Sequence, residues 1–174
     1  MATLVLRNPS LVTLVGAAGS GKSTFAARWF AAEDVLSSDA YRAMLTGDEA
    51  DQRATKTAFS ILHREVARRL AAGRPVVVDA TNVERAARRA LITRARAAGV
   101  PAVAIVFNLP PALVHERNRR RTGRVVDASV VDRHLDRLAR TLARHELVEE
   151  GFDDVVVLRS AADVDGTSVE WRSR

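Results

Sequence analysis

Gly16-Ala17-Ala18-Gly19-Ser20-Gly21-Lys22-Ser23-Thr24 puts three glycines, one lysine and three hydroxyl side chains within nine residues. Glycines at this spacing let the backbone curl so that successive N–H groups point inward, and a helix opening at Lys22 adds the positive end of its dipole. Such a cradle fits phosphate oxygens. The run from Gly16 to Ser23 is the full P-loop pattern, in which Lys22 would bridge the β- and γ-phosphates of a nucleotide and Ser23 would place its hydroxyl on Mg²⁺. Of the 27 Lys and Arg residues only Lys22 and Lys56 are lysine. The chain otherwise uses arginine for positive charge, and a planar guanidinium does not replace a compact ammonium between phosphates. The competing reading, a glycine-rich turn with no nucleotide, ignores the strand before the loop and the helix after it.

Three further groups carry chemistry. Asp79 closes the apolar run Val76-Val77-Val78, where an acidic residue commonly acts on Mg²⁺; capping the next helix or pairing with an arginine is the alternative. Asn82, three residues on, fits a helix cap as well as a ligand contact. Asp39 follows a short predicted strand in SSDAYR (37–42), placed to take a proton from a hydroxyl acceptor, with Arg42 on the same helical face to hold an anionic group. Equally, Ser38 or Asp39 would cap a helix and Arg42 would form a surface ion pair. The run from Arg117 to Arg124 is the densest basic stretch, with Arg117 and Arg121 sharing a helix face. A mobile cationic lid would neutralise charge developing on transferring phosphates; a solvated basic helix is the alternative.

His63, His115, His134 and His145 have no metal-ligand spacing and read as surface or satisfied histidines. Phe25, Trp29 and Phe30 read as core, and aromatics are too few to suggest a base-stacking platform. The absence of cysteine excludes disulfides and Cys-based metal sites. No apolar run approaches the roughly 20 residues that span a bilayer, and the N-terminus lacks the basic n-region of a signal peptide. A cytoplasmic protein with no membrane partner is the expectation. The formal charge of +6 favours anionic partners.

The elements that must position these residues alternate in type. Strands are predicted at 11–15, near Val35, at 74–81, 101–110 and 154–158. Helices are predicted at about 22–32, from Asp39, at about 51–72, 84–98, 110–121 and 129–149. The tail from about 160 to 174 reads as loosely ordered. Alternation of this kind predicts an α/β fold: a P-loop kinase-like parallel sheet with helices on both faces and an Arg-rich lid at about 110–128, all in one domain over 1–174. Ligands of such sheets bind beyond the carboxyl ends of the strands, where the candidates fall.

Assembled, these residues resemble the kinase domain of bacterial polynucleotide kinase-phosphatase. The likeness runs through GAAGSGKST (16–24), SSDAYR (37–42), DQRATKTAFSILH (51–63), VVVDATNVERAAR (76–88), FNLPPALVHERNRRRTGR (107–124), the helix near His134 and EGFDDVVVL (150–158). It implies transfer of the γ-phosphate of ATP or another NTP, with Mg²⁺, to 5′-hydroxyl ends of DNA or RNA in nucleic-acid repair. It also implies Asp39 as general base, Arg42 on the acceptor phosphate and Arg117 and Arg121 on the donor phosphates. Dimerisation is a family tendency. Relatives carry phosphatase and ligase domains, so partner activities are expected, and a free-standing kinase and an excised domain both stay open. Arg119 and Arg120 depart from acidic or neutral positions of the family's lid. Two alternatives remain beside this reading: a P-loop kinase of a small metabolite or antibiotic hydroxyl, and a nucleotide-dependent regulatory ATPase with no acceptor.

Overall fold

The computed structural model describes residues 2–48, 55–122 and 124–172. In chain order the elements are β1 (Ala2–Arg7), β2 (Leu11–Val15), α1 (Lys22–Trp29), a 3₁₀ turn (Ala32–Asp34), β3 (Val35–Ser37), α2 (Ser38–Thr46) and α3 (Thr55–Ala71). They continue with β4 (Val76–Asp79), α4 (Arg85–Ala97), β5 (Ala102–Phe107), α5 (Pro111–Arg119), α6 (Ala128–Ala143) and α7 (Glu146–Glu150). The last three are β6 (Asp154–Leu158), α8 (Ala161–Gly166) and β7 (Thr167–Arg172).

A five-stranded sheet in the order β3-β4-β2-β5-β6 forms the centre, every pair parallel. Strands β2, β4 and β5 are buried along their whole length. This explains why LVTLV, VVVD and AVAIVF read as continuous apolar runs: helices cover both faces of the sheet. One face packs Leu62 and Val66 of α3, Leu91 and Ile92 of α4 and Leu138 of α6 against Leu11, Val78 and Val106. The other packs Phe25, Ala26 and Phe30 at α1 against Val12, Leu14 and Ile105. Strand order reverses at β2, whose neighbours β4 and β5 lie on opposite sides. A crevice therefore opens beyond the carboxyl end of β2, where the glycine loop leaves the sheet.

Two expectations change. The tail expected to be loosely ordered at 160–174 forms α8 and β7 over 161–172, and β7 pairs in parallel with a strand not foreseen, β1. Their partners lie at opposite ends of the chain, so neither carries a local hairpin signal; Leu6 is buried and Trp171 meets Phe30 edge-on at 5.9 Å. The helix expected at 129–149 breaks at Arg144–His145, where His145 takes a left-handed conformation (φ 54). The break re-aims α7 so that Leu147 and Glu150 turn inward. The expected start of α3 at Asp51 lies outside the described residues. Among the described residues no helix is long and apolar enough to cross a membrane.

Glu150 meets Arg88 of α4 in a fully buried pair. Arg88 Nε and Nη2 donate to the two carboxylate oxygens at 2.7 and 2.6 Å, and Nη1 donates to the carbonyls of Asn82 and Val83 at 3.2 and 2.7 Å. Removing one member leaves an uncompensated buried charge. Glu150→Ala is expected to lower unfolding free energy by about 3–5 kcal/mol in urea titration. A loss under about 1 kcal/mol, the value of an exposed pair, would show that the pair is solvated.

Candidate active site

The phosphate loop is tied to its neighbour strand before it begins to curl. Gly16 N donates to the Thr81 carbonyl at 2.9 Å, and Asn82 Nδ2 donates to the Leu14 carbonyl at 2.8 Å. Asn82 holds a left-handed backbone (φ 48), and Glu84, not Asn82, occupies the position before α4. Asn82 is thus a brace for the loop, and the helix-cap reading does not hold. Gly16, Ala17, Ala18 and Ser20 are buried in the loop wall. Lys22 Nζ, also buried, donates to the carbonyls of Gly16 and Ala17 at 2.9 and 2.8 Å and to Ser20 Oγ at 3.3 Å. Burial pushes the Lys22 ammonium down to about 8; Asp79 opposes the shift and Arg121 adds to it. Ser23 and Thr24 are exposed on the first turn of α1, and Gly21 offers that turn no side-chain cap.

A cleft of about 700 Å³ stands over this loop. Gly19, Gly21, Lys22, Ser23 and Thr24 line one side, and Ser38, Asp39, Arg42, Asp79, Arg117 and Arg121 share the cleft with them. Asn82, Gly16, Ala17 and Ser20, also singled out in the sequence, do not line it. Ser23 and Asp79 offer hard oxygen ligands beside the loop, the donor type that Mg²⁺ takes. Among the described residues no cluster of three or more His, Cys, Asp or Glu could hold a metal.

Asp39 is not the helix cap. Ser37 accepts from Ala40 N at 3.4 Å and so caps α2, leaving the Asp39 carboxylate to the cleft. It pairs with Arg42 and lies 4.0 Å from Arg124 Nη1. Arg42 is buried, not on the surface, so this pair is part of the cleft wall.

The helix expected to run to Arg121 ends at Arg119, so Arg117 and Arg121 do not share a helix face: Arg117 lies in the last turn of α5, and Arg121 and Arg124 lie in the loop after it. Arg117 Nη1 lies 3.4 Å from where a Cβ on Gly21 would stand, Arg121 acts electrostatically on Lys22, and Arg124 reaches Asp39. Arg119 and Arg120 point outward, and Arg120 pairs with Glu116 at 2.9 Å. Sequence reasoning missed the residue that shapes this segment. Asn118 is buried, donates to the Val126 carbonyl at 2.7 Å and accepts from Val126 N at 3.2 Å, closing the loop that carries Arg121 and Arg124. His134 was read as surface or satisfied; it lines the cleft, its Nδ1 is buried without a hydrogen-bond partner among the described residues, and burial followed by Lys22 lowers its pKa. Phe59, Val164 and Asp165 line the cleft as well.

At Gly19 (φ +85) a Cβ would stand 2.6 Å from the Val114 carbonyl and 2.9 Å from Asn118 N. Gly99 has a similar φ of +66 and open space around it. Alanine at either costs about 1–2 kcal/mol of left-handed strain. Gly19→Ala is expected to lose about 1–3 kcal/mol more from overpacking, read as the difference between the two variants in urea unfolding. Equal losses would mean that α5 yields without cost.

Similarity to known proteins agrees with this geometry. A family described as AAA domain matches residues 11–145. A chain of the Pnkp1/Rnl/Hen1 RNA repair complex superposes with a TM-score of 0.64 at 26% identity, covering 79% of this chain and 46% of its own. The chain thus spans about half the length of that relative. A gluconokinase from Sinorhizobium meliloti 1021 superposes with a TM-score of 0.57 at 22% identity, covering 92% of this chain and 87% of its own. Kti12 of Chaetomium thermophilum, solved with ADP-AlF3, gives 0.60 at 18% identity over 90% of this chain and 94% of its own. The last two show a shared fold alone. No curated protein matches the sequence. The parallel sheet, glycine loop and flanking helices are those of a P-loop kinase fold, and the chain belongs to the AAA domain family.

Proposed function

We propose that this chain is a polynucleotide 5′-hydroxyl kinase, transferring the γ-phosphate of ATP or another NTP to 5′-OH ends of DNA or RNA. The observation that carries the reading is that Asp39 and Arg42 line the same cleft as the phosphate loop, with Arg117, Arg121 and Arg124 around them. Further support comes from the repair-complex chain, at 26% identity over 79% of this one, and from the motif blocks that resemble end-healing kinases. That relative's place in a complex with Rnl and Hen1 supports association with partner activities.

In this reading the chain works by positioning and charge. Lys22, Arg117 and Arg121 hold the donor phosphates, and backbone N–H groups of 16–24 cradle them. Ser23 and Asp79 would hold Mg²⁺, which would neutralise phosphate charge. Arg42 and Arg124 flank Asp39 and offer cationic contacts to an acceptor phosphate. Asp39 accepts the proton of the 5′-hydroxyl as its oxygen bonds to the γ-phosphorus. The bond from that phosphorus to the β,γ-bridging oxygen breaks, and the nucleoside diphosphate leaves.

Labelled ATP offered with a 5′-OH oligonucleotide, a 5′-phosphorylated control, gluconate and other small alcohols tests the reading. Label on the 5′-OH strand alone is the expected result. Label on a small alcohol alone would establish the metabolite-kinase alternative, and ATP hydrolysis with no labelled acceptor would establish the regulatory ATPase. Asp39→Asn is expected to slow transfer by about 10²–10⁴-fold, the contribution of a general base, with nucleotide affinity retained. Arg121→Ala is expected to cost about 10²–10³-fold in kcat; an unchanged rate would make the basic run a solvated face.

A further inference from the structure

Phe25 and Phe59 are the phenylalanines on the cleft wall. Phe25 is buried behind the phosphate loop, edge-on to Phe107 at 5.4 Å. Phe59 differs: its ring is half-buried and borders the open space. It lies four residues after Thr55 on α3, so both project from one helical face, and both line the cleft beside Ser38, Asp39 and Arg42. One side of the ring packs on the core that holds Leu62 and Val66. Its neighbour His63 meets it with ring centroids 6.0 Å apart and planes at 61°. Those contacts seat the ring in the wall, and its uncovered part gives the cleft an apolar surface.

We propose that Phe59 is the stacking platform for the terminal nucleobase of the acceptor strand. The inference rests on the 5′-hydroxyl kinase reading and extends it to how the end is recognised. The donor phosphates take the side of the cleft formed by the glycine loop, Lys22, Arg117 and Arg121. Phe59 belongs to the other side, on the helix that packs against α2, whose first turn carries Asp39. A π face accepts every base, so a ring here grips a strand end without reading its sequence. Arg42 and Arg124, beside Asp39, supply the cations for the phosphate that joins the terminal nucleoside to the next. Ring and guanidinium groups together bracket one nucleoside and bring its 5′ carbon to the carboxylate.

The test compares wild type, Phe59→Leu and Phe59→Trp on two 5′-OH oligonucleotides, one ending in a normal nucleotide and one in an abasic residue. Leucine keeps the apolar packing and removes the π face. Loss of a base–aromatic stack costs about 5- to 100-fold. Phe59→Leu is expected to raise the oligonucleotide KM about tenfold, with the NTP KM held, while Phe59→Trp retains tight binding. The abasic end should cost the wild type a similar factor and cost Phe59→Leu little more. Full additivity of the two changes, an abasic end that wild type accepts as well as a normal one, or a rise in the NTP KM would overturn the platform. Wild type that labels only small alcohols would overturn the polynucleotide-kinase reading itself, and the platform with it. Urea unfolding of each variant separates lost binding from lost fold.

Discussion

Gly19 brings the phosphate loop against the backbone of α5 at a distance that leaves no room for a Cβ. Because the contact is backbone to backbone, it sets the register between the loop and the helix that carries the arginines. Arg117 then falls beside Gly21, Arg121 near Lys22 and Arg124 near Asp39. Asn118 serves the same arrangement from within α5, since its amide closes the loop that returns to Val126. Burial lowers the Lys22 pKa, and the Asp79 carboxylate opposes that shift by more than Arg121 adds to it, so the loop ammonium sits between a carboxylate and a guanidinium. Preorganised positive charge of this kind suits a site where negative charge must be held in transit.

Behind the loop, polar groups do what apolar packing cannot. The backbone around Ala80 to Val83 leaves its strand and must be satisfied away from water. Thr81 accepts from Gly16, Asn82 donates to β2, and Arg88 takes the carbonyls of Asn82 and Val83 while its charge is matched by Glu150. This network joins α4, α7 and the ends of β2 and β4. The bend at His145 exists within the same network, because only after it does Glu150 face inward.

The β1–β7 pair stands outside the residues matched by the AAA domain family, 11–145. Its consequence reaches the site. β7 follows directly on α8, and α8 supplies Val164 and Asp165 to the cleft. Val164 also packs with the cluster of Val126, Val131 and Ala18, so α8 helps to wall the cleft. Pairing the termini in parallel and seating Trp171 on Phe30 anchors that wall.

The glycine loop, the interior strands and the positions of Asp79 at a strand end and Asp39 at a helix start were legible in the sequence. Each depends on local chemistry: a backbone that only glycine permits, an apolar run with no polar face, a lysine where arginine is otherwise used. Whether Asp39 caps α2, as it or Ser38 was expected to do on the competing reading, whether Asn82 caps or braces, and which arginines of the run face inward were open to the sequence, because each answer depends on the folded surroundings. Tertiary contacts decided them. Ser37 took the cap and left Asp39 to the cleft, β2 captured Asn82, and the approach of α5 to Gly19 turned Arg117 and Arg121 inward while Arg119 and Arg120 faced water. The pairing of β1 with β7 and the place of Phe59 on the cleft wall belong to the same class, since residues far apart in sequence become neighbours only when the sheet and its helices close around them.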